Sequence, residues 1–312
     1  MKLTHLRALV ATADTRNVSE AALELGLSQS SVSEALAALE QHLQGTLVER
    51  GRFGARLTPL GEQVVVHARS ALAAIESIEQ EVSLSRGAIQ GSLRIATFRS
   101  IASQVIPPVM ARLKQTHPNL KLDLIECIKC EQDDLLGPIH AGTADLAFLP
   151  QCNSAEFMSW TLMDDPYMAL VPEGWISKDT LHPSDLNNHP LIMARGGDCT
   201  NRIMAYLAEE KVMPTEILKV SEDFTMYNMV GQELGIALSP RLAIDYVPRG
   251  VRMLPLEVPL QRTISLAVRQ GGLKMPAVRQ FIRLLKELLP ESALPHLEVK
   301  SETPAEKQKS RS

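Results

Sequence analysis

The sequence predicts an α/β protein with an all-α N-terminal part. Residues 1 to about 57 carry apolar residues at helical spacing, which indicates several short helices. A single long helical pattern follows from Pro59 to about Ile89. Beyond it, short apolar runs that predict strands alternate with stretches that predict helices. Because 312 residues exceed what one hydrophobic core usually supports, we expect at least two structural units.

The composition is that of a globular protein and disfavours a membrane protein, a disulfide scaffold and a protein that binds nucleic acid through its overall charge. Hydrophobic residues make up 45% and charged residues 22%, as in ordinary globular proteins. We find no apolar run of about 18 residues and no secretory signal, so we expect a cytoplasmic protein without a membrane partner. The 4 cysteines are too few for a disulfide scaffold. With a net charge of -4, any contact with nucleic acid has to come from a local basic patch.

The first three predicted helices contain the pattern of a helix-turn-helix. Their apolar positions are Leu3, Leu6, Leu9 and Val10, then Ala21, Ala22 and Leu25, then Val32, Leu36, Leu39 and Leu43. Asn17 or Ser19 can cap the second helix. Gly26 supplies a tight turn, and Ser28 can cap the third helix. Two short helices joined by such a turn, with small hydrogen-bonding side chains at the start of the second, are typical of a DNA-reading unit.

The polar face of the third helix and the segment after it are the candidate contacts. The face carries Gln29, Ser30, Ser33, Glu34 and Ala37. Short side chains let a helix approach base edges, although the same serines could simply contact solvent. In ERGRFGARLTPLG, three arginines surround two glycines: Arg50, Arg52 and Arg56. These cations could follow a phosphate backbone, so we expect binding that weakens with salt.

Thr58 and Pro59 predict the start of the long helix, since one is a capping residue and the other suits the first helical position. Its apolar residues keep spacings of three and four: Leu60, Val64, Ala68, Leu72, Ile75, Ile78 and Val82. At 1.5 Å per residue this helix would extend roughly 45 Å. A bare helix of that length predicts a homodimer.

The remaining chain predicts the α/β part. Its strand candidates are LRIATF, LKLDLIEC, ADLAFLP, YMALVP, PLIMA, GIALSP and TISLAV. Helices are expected near 105–115 and 133–141 and over PAVRQFIRLLKELL. Residues 291–312 are rich in Pro, Glu, Lys and Ser, which predicts a disordered tail.

Three motifs in this order resemble those of the LysR-type bacterial transcriptional regulators. They are VSEAALELGLSQSSVSEALAALEQHLQGTLVERGRFGARLTPLG, AGTADLAFLP and GQELGIALSP, and the resemblance covers residues 1 to about 290. It implies a winged helix-turn-helix DNA-binding domain over 1–58 and a linker and dimerisation helix over 59–90. It also implies a two-lobed, periplasmic-binding-protein-like (type 2) effector domain over 91–290. Lobe I would comprise 91–162 and 267–290, and lobe II would comprise 163–266.

The resemblance also implies the partners. A small molecule in the interlobe cleft would modulate binding to a dyad-symmetric site on double-stranded DNA. The protein would form a dimer and, as in the family, a tetramer, and RNA polymerase is a further candidate partner. Gln29, Ser30, Ser31 and Ser33 would face base edges, and Arg50, Arg52 and Arg56 would hold phosphates. Because Ser30 and Glu34 replace the proline and the basic residue that many members carry, the preferred bases cannot be transferred.

The effector site is predicted where strands end at the cleft. Its candidate residues are Thr97, Arg99, Ser100, Cys127, Arg195, Thr200, Asn201, Arg202 and Thr225. Hydroxyl groups and free amides at helix starts favour an anion, and an arginine could add a bidentate contact, so we expect a carboxylate or phosphate-bearing metabolite. For each arginine, a solvated surface role is an equal alternative.

Three alternatives stay open at this point. A redox sensor of the same fold could use Cys127 and Cys130, spaced as CxxC, or Cys199. An enzyme is less favoured, because no catalytic motif is found at a recognisable spacing and no catalytic residue, metal or cofactor is expected. A solute-binding protein for transport would need export, which the N-terminal sequence does not favour.

Overall fold

We describe a computed structural model of the protein. The structure describes residues 1–51, 54–127, 132–152 and 156–289. Two predicted site residues, Arg52 and Cys130, lie outside the described residues, as does the predicted disordered tail 291–312.

The N-terminal domain consists of three helices followed by a hairpin. Its elements are α1 (Leu3–Thr15), α2 (Val18–Leu25), α3 (Gln29–Leu43), β1 (Val48–Gly51) and β2 (Gly54–Leu57). The two strands pair antiparallel, with Val48 opposite Leu57. This hairpin is the wing that the resemblance implied, and the helix-turn-helix prediction is confirmed by α2 and α3.

The predicted helix starts are present. Asn17 accepts a hydrogen bond from the amide of Ser19 at 2.9 Å, and Ser28 accepts one from the amide of Ser31 at 3.1 Å. Gly26 ends α2 in the left-handed conformation, with a φ of 65°. These caps satisfy amides that a helix leaves unpaired at its start and so define where α2 and α3 begin.

The helices of this domain bury most of the predicted apolar stripes, with two exceptions: Leu3, the first residue of α1, is 44% exposed, and Leu43 at the end of α3 is exposed as well. Val32, Leu36 and Leu39 are fully buried, but Leu43 is 39% exposed, so its placement in the core was wrong. Leu43 is the last residue of α3, and Gln44 turns the chain away with a φ of 53°. The end of a helix therefore projects beyond the core that its earlier turns cover.

The linker helix α4 (Pro59–Ser85) starts as predicted, since Thr58 accepts a hydrogen bond from the amide of Gly61 at 2.9 Å. It ends before the expected Ile89, whose side chain is fully buried in the core of lobe I. The apolar stripe of α4 divides into two parts. Ala68 packs into the N-terminal core, whereas Ile78 is 64% and Val82 is 47% exposed.

The regulatory domain follows as alternating strands and helices. Its strands are β3 (Gly91–Phe98), β4 (Leu120–Cys127), β5 (Leu146–Pro150), β6 (Phe157–Pro172), β7 (Leu191–Ala194), β8 (Ile217–Val220), β9 (Ile236–Pro240), β10 (Val251–Pro255) and β11 (Gln261–Arg269). Its α-helices are α5 (Arg99–Gln104), α6 (Ile106–Thr116), α7 (Gln132–His140), α8 (Asp198–Glu209), α9 (Asp223–Gly231) and α10 (Pro276–Leu288). Short 3-10 helices lie at 183–188, 241–243 and 272–274.

Two long antiparallel strands join the two lobes. The described strands follow the order β4-β3-β5-β11-β6-β9-β7-β8, with β10 paired to β6. Because β6 and β11 each run through both lobes, they are the hinge of the domain. Their register shifts between Ile264 and Ser265, and such a bulge bends a strand locally.

Each lobe has its own core, and the cores define the crossing point. Leu162, Ile264 and Leu266 belong to the core of lobe I, whereas Tyr167 belongs to that of lobe II. The chain therefore returns to lobe I near Arg262, several residues before the expected boundary at 266. The shift arises because β11 already pairs with β5 of lobe I at Ile264, which lies opposite Pro150.

No helix in the described part of the chain is long and apolar enough to cross a membrane.

Candidate functional site

The exposed start of α3 carries the polar side chains that were predicted to read DNA. Gln29, Ser30 and Ser31 are exposed, and Ser33 is half-buried. The hydroxyl of Ser28 lies 2.9 Å from that of Ser30 and 2.8 Å from that of Ser31. Three hydroxyl groups thus form one connected cluster around the helix cap, and Gln29 extends from the same turn.

The wing places its two described arginines differently. Arg50 pairs with Ala55 and Arg56 pairs with Glu49, so the strand register puts the two arginines on opposite faces of the hairpin. Arg50 lies on the inner face and donates from Nη2 to the backbone oxygen of Ser33 at 3.4 Å. Arg56 is exposed on the outer face. The two cations therefore flank the hairpin instead of forming one continuous row.

The carboxylate of Glu40 joins the hairpin to α3. Glu40, on α3, accepts hydrogen bonds from the amides of Leu47 and Val48 at 2.8 and 3.0 Å. Both of these residues are buried, so their amides have little access to water. Glu40 was not selected from the sequence as a site residue, although it holds the wing and α3 in one fixed relation.

A cavity of about 690 Å³ separates the lobes of the regulatory domain. Its walls contain Arg99, Ser100, Cys127, Arg195 and Thr200 from the predicted effector site, and Cys199 as well. The cavity is formed by the ends of β3 and β4, the starts of α5, α8 and α9, and the hinge strand β11. This position at the carboxyl ends of strands is where ligands of open α/β sheets bind.

Four predicted effector residues do not line this cavity. Thr97 is fully buried in β3 and its hydroxyl donates to the oxygen of Phe98. Asn201 and Thr225 are exposed, and Arg202 forms an ion pair with Asp198 one turn away, at 2.6 Å. For Asn201, Arg202 and Thr225 helical rotation explains the difference, because neighbouring residues on α8 and α9 point in directions about 100° apart. Thr97 lies on β3, and its side chain is buried inside lobe I.

The loop before α8 is shaped by two glycines. Gly196 and Gly197 have φ values of 92° and 90°, which side chains rarely adopt. Gly197 stands at the helix cap without a capping side chain, so the amides of the first turn are available to a ligand. Thr200, by contrast, uses its hydroxyl within the loop, near the oxygens of Ala194 and Gly196 at 3.0 and 2.9 Å.

A buried arginine on the hinge organises the floor of the cavity. Arg262 has a side chain only 2% exposed, and it pairs with the equally buried Asp165 at 2.8 Å. Its Nη2 also donates to the hydroxyl of Ser100 at 2.8 Å, and its guanidinium lies 5.0 Å from the ring centre of Phe98. Asp165 accepts a further bond from the amide of Leu242. One ion pair thus connects β6, β11 and the start of α5.

The same arginine contacts the cavity cysteine. Its Nη1 donates to Sγ of Cys199 at 3.4 Å. The hydroxyl of Tyr167 is buried beside that sulfur and has no hydrogen-bond partner of good geometry among the described residues. Burial and the neighbouring sulfur raise the pKa of Tyr167 well above its ordinary value, so its proton stays in place. Two donor groups therefore face Cys199.

Cys127 is in a different environment. Its thiol donates to the backbone oxygen of Asp134 at 3.1 Å, and burial together with the negative charge of Asp134 raises the pKa of Cys127. Because the thiolate is the reactive form of cysteine, this environment disfavours Cys127 as a nucleophile.

The charges of the cavity wall nearly balance. The cations are Arg99, Arg195 and Arg262, and the carboxylates are Glu126, Asp198, Glu222 and Asp223. Arg99 forms ion pairs with Asp223 and Asp245 and bridges lobe I to lobe II. Burial would lower the pKa of Arg99, but the carboxylates outweigh it and raise the pKa. Arg195 donates to the oxygen of Lys219 at 3.1 Å, without a carboxylate partner among the described residues.

Sequence reasoning missed Arg262 and Asp165, the most buried charges of this site. A signal was present: Arg262 shares the alternation of Ile264, Leu266 and Val268, which places all four on one face of β11. The partner could not be identified, because Asp165 is 97 residues away and Asp164 beside it is an equal candidate in sequence. In the described part of the chain, no group of three or more His, Cys, Asp or Glu side chains is placed to hold a metal ion.

Family comparisons match both halves of the chain. The model "Bacterial regulatory helix-turn-helix protein, lysR family" matches residues 3–62, and the model "LysR substrate binding domain" matches residues 86–290. A curated relative, the probable HTH-type transcriptional regulator LrrA of Synechococcus elongatus, is 37% identical over 298 residues. That alignment covers 93% of this chain and 98% of the relative.

Solved structures share the fold. A variant of full-length OxyR from Pseudomonas aeruginosa has a TM-score of 0.75 at 24% identity and covers 94% of this chain and 96% of that one. Full-length CbnR in complex with its target DNA has a TM-score of 0.61 at 20% identity, with coverage of 92% and 99%.

Proposed function

Because the chain belongs to the LysR family of bacterial transcriptional regulators, we propose that a small molecule bound between its lobes controls how it binds DNA. The protein is a DNA-binding transcriptional regulator and not an enzyme. The observation that supports the proposal is the interlobe cavity of about 690 Å³, within the range of small-molecule sites.

The start of α3 is the proposed base-reading surface. Gln29, Ser30, Ser31 and Ser33 face the major groove, where an amide and hydroxyl groups can bond to base edges. Arg50 on the inner face of the wing and Arg56 on its outer face contact phosphates on the two sides of the hairpin, and Arg52 between them is assigned the same role. Phosphate contacts position a protein, whereas base contacts specify the sequence.

The effector is proposed to carry an anionic group. The first-turn amides of α8, the hydroxyl of Ser100 and Arg195 can receive it. Because Arg99 and Arg262 are already paired, a simple polyanion would find little free positive charge. Glu126 and Glu222 on opposite walls favour a molecule that also offers hydrogen-bond donors, such as amino or hydroxyl groups.

Thermal unfolding of the full chain with a panel of carboxylates, amino acids and phosphate esters tests this assignment. A ligand at a hundred times its dissociation constant should add about 2.7 kcal/mol to the stability. Ser100→Ala should reduce the shift, whereas Ser103→Ala, on the same helix but outside the cavity wall, should not. A stabilising compound whose effect is equal in wild type and in Ser100→Ala would place the site elsewhere.

A second candidate for the signal is oxidation of Cys199. Reactive cysteines occur beside cationic side chains, and Arg262 contacts this sulfur. A hydroperoxide would transfer one oxygen to the thiol, breaking its O–O bond, forming a sulfenic acid and releasing water or an alcohol. The Tyr167 hydroxyl, which lacks a good partner among the described residues, can donate to the new oxygen.

Peroxide treatment separates the two candidates. Mass spectrometry with a sulfenic-acid reagent should label Cys199 but not Cys127, and Cys199→Ser should make DNA binding insensitive to peroxide. Cys127→Ser is the matched control, which should respond as wild type. Peroxide-insensitive DNA binding by the wild-type protein would exclude oxidation of Cys199 as the signal. The proposal of a small-molecule effector would still stand.

A further inference from the structure

One arginine of the linker helix contacts both the DNA-binding domain and the regulatory domain of the same chain. Arg69, on α4, forms an ion pair through Nη2 with Asp14 in the last turn of α1. Its Nη1 donates to the backbone oxygen of Ala141, directly after α7, at 2.8 Å. The side chain of Arg69 is only 10% exposed, so its guanidinium lies between the two domains.

The surface that receives Arg69 is itself held in place. Gly142 has a φ of 69°, which side chains rarely adopt, and a Cβ there would lie 3.0 Å from the Cβ of Arg69, so glycine is the residue that fits this close approach with least strain. Arg94 donates to the oxygen of Gly142 at 3.3 Å and pairs with the buried Asp145 at 2.7 Å. Arg94 and Asp145 therefore hold the turn after α7 in place on lobe I.

The turn at Ala141 and Gly142 is connected to the cavity through α7. Cys127, on the cavity wall, is hydrogen-bonded to the oxygen of Asp134 in the first half of α7. Ala141, bonded to Arg69, follows the last residue of the same helix. A displacement of α7 at the cavity would thus move the acceptor of Arg69.

We propose that Arg69 is a positioning residue that sets the orientation of the DNA-binding domain against lobe I and releases it when α7 moves. The Nε–H group of Arg69 is buried without an acceptor among the described residues. We call the arrangement in which Arg69 contacts both Asp14 and Ala141 the clamp. An unpaired buried donor costs free energy, so the missing acceptor for Nε–H weakens the clamp, and a small displacement of Ala141 can open it. The release, but not the clamp itself, rests on the proposed function of the cavity.

The clamp has a consequence for DNA recognition. A dimeric reader contacts two half-sites whose spacing must match the distance and angle between its reading helices. A fixed orientation gives one preferred spacing, whereas a released domain tolerates several. The spacing preference therefore reports on the clamp more directly than the affinity for a single site.

The test uses full-length protein and an operator selected from a random duplex library with that protein. Dissociation constants are measured for this operator and for versions with one or two base pairs inserted or removed between half-sites. We expect each altered spacing to cost the wild type about tenfold in affinity, and Asp14→Asn or Arg69→Gln less than about threefold. Arg69→Lys should be intermediate, because one ammonium cannot reproduce the planar fork that bonds to both acceptors.

Glu81→Gln is the matched control. Glu81 pairs with Arg279 at 2.7 Å and ties α4 to α10 of lobe I without reaching residues 1–57. Its spacing profile should equal that of the wild type, and melting temperatures of all variants check that they are folded. The proposal is overturned if Asp14→Asn and Arg69→Gln both lose as much affinity at altered spacings as the wild type does. It is also overturned if Glu81→Gln tolerates altered spacings as well as those two variants do. Because no effector is added, failure here leaves the cavity assignment standing.

Discussion

At the scale of single residues, one buried ion pair lies where the two lobes of the regulatory domain join. Arg262 and Asp165 are 2% and 1% exposed and lie where β6 and β11 cross between the lobes. Removing two charges from water is costly, and only their mutual contacts and further hydrogen bonds compensate that cost. The pair therefore adds less to stability than its geometry suggests, but breaking it leaves one charge buried alone.

We predict that Asp165→Asn destabilises the protein by about 3 kcal/mol, because Arg262 then lacks a counter-charge. Urea unfolding followed by circular dichroism measures the change. Asp164→Asn, which alters the exposed neighbour that accepts from Thr263, should cost less than about 0.5 kcal/mol. Equal losses in the two variants would contradict a special role for the buried pair.

His117 makes stability depend on pH. The residue is 4% exposed, its Nδ1 accepts from the amide of Ile89 at 3.2 Å, and burial lowers its pKa. In the unfolded chain the pKa of His117 is about 6.5. As the pH falls below that value, the imidazole is protonated in the unfolded state while it stays neutral in the folded state, so folding becomes less favourable. The stability from this site is present above about pH 6.5 and declines toward the lower folded pKa.

We predict that His117→Asn, which keeps an acceptor for Ile89, loses less stability than wild type between about pH 7.5 and about pH 5.5. Melting temperatures across that interval provide the measurement. His67→Asn, at an exposed histidine of α4, should retain the wild-type dependence. If all three proteins lost stability in parallel, another group would be responsible.

At the scale of elements, Glu40 connects α3 to the hairpin of β1 and β2, so the two elements keep one fixed relation. Its carboxylate satisfies the amides of Leu47 and Val48, in and just before β1. Each buried amide left without a partner costs about 1–3 kcal/mol. The distance between the proposed base-reading and phosphate-binding side chains therefore depends on a residue for which we propose no contact with DNA.

We predict that Glu40→Ala costs at least about 2 kcal/mol and weakens binding to specific and random DNA alike. Fluorescence anisotropy with both DNAs and a melting curve provide the measurement. Glu34→Ala, at an exposed acid on the same helix, should leave stability unchanged within about 0.5 kcal/mol. A stable Glu40→Ala protein with normal affinity would show that the wing is held otherwise.

At the scale of the whole molecule, α4 serves two purposes along its length. Its first half packs against the N-terminal core, where Val65 is 4% and Ala68 is 2% exposed. Its second half is joined to lobe I by Gln80, which bonds to the oxygen of Ser92 and the amide of Ala277. Ile78 and Val82 project outward and are exposed, so they are the surface that we expect a second copy to cover.

We predict that Ile78→Asp combined with Val82→Asp shifts the protein toward smaller oligomers, because charges would be buried at the helix contact. Light scattering coupled to size exclusion gives the mass. Met213→Asp, at an 80% exposed apolar residue of lobe II, is the control and should not alter the mass. An unchanged mass in the double variant would place the self-contact on another surface.

Local sequence patterns were enough to predict the order of the elements and the polar, exposed start of α3. Periodicity and capping residues such as Ser28 and Thr58 act locally, within one or two turns, so the helix starts, the alternation of strands and helices and the exposed serines of α3 were predictable. Motif resemblance supplied the family and the two-lobed domain. Five of the nine effector candidates line the cavity for the same reason, since strand ends can be located from local pattern.

Which charged side chains form pairs could be seen only in the folded molecule. Arg262 with Asp165, and Arg69 with Asp14 and Ala141, are separated by 55 to 97 residues. The tertiary structure also decided that Arg50 and Arg56 lie on opposite faces of the wing, and that Thr225 is outside the cavity wall. Contacts of this kind depend on how strands cross and helices rotate, and those are set by the packing of distant segments rather than by neighbours in the chain.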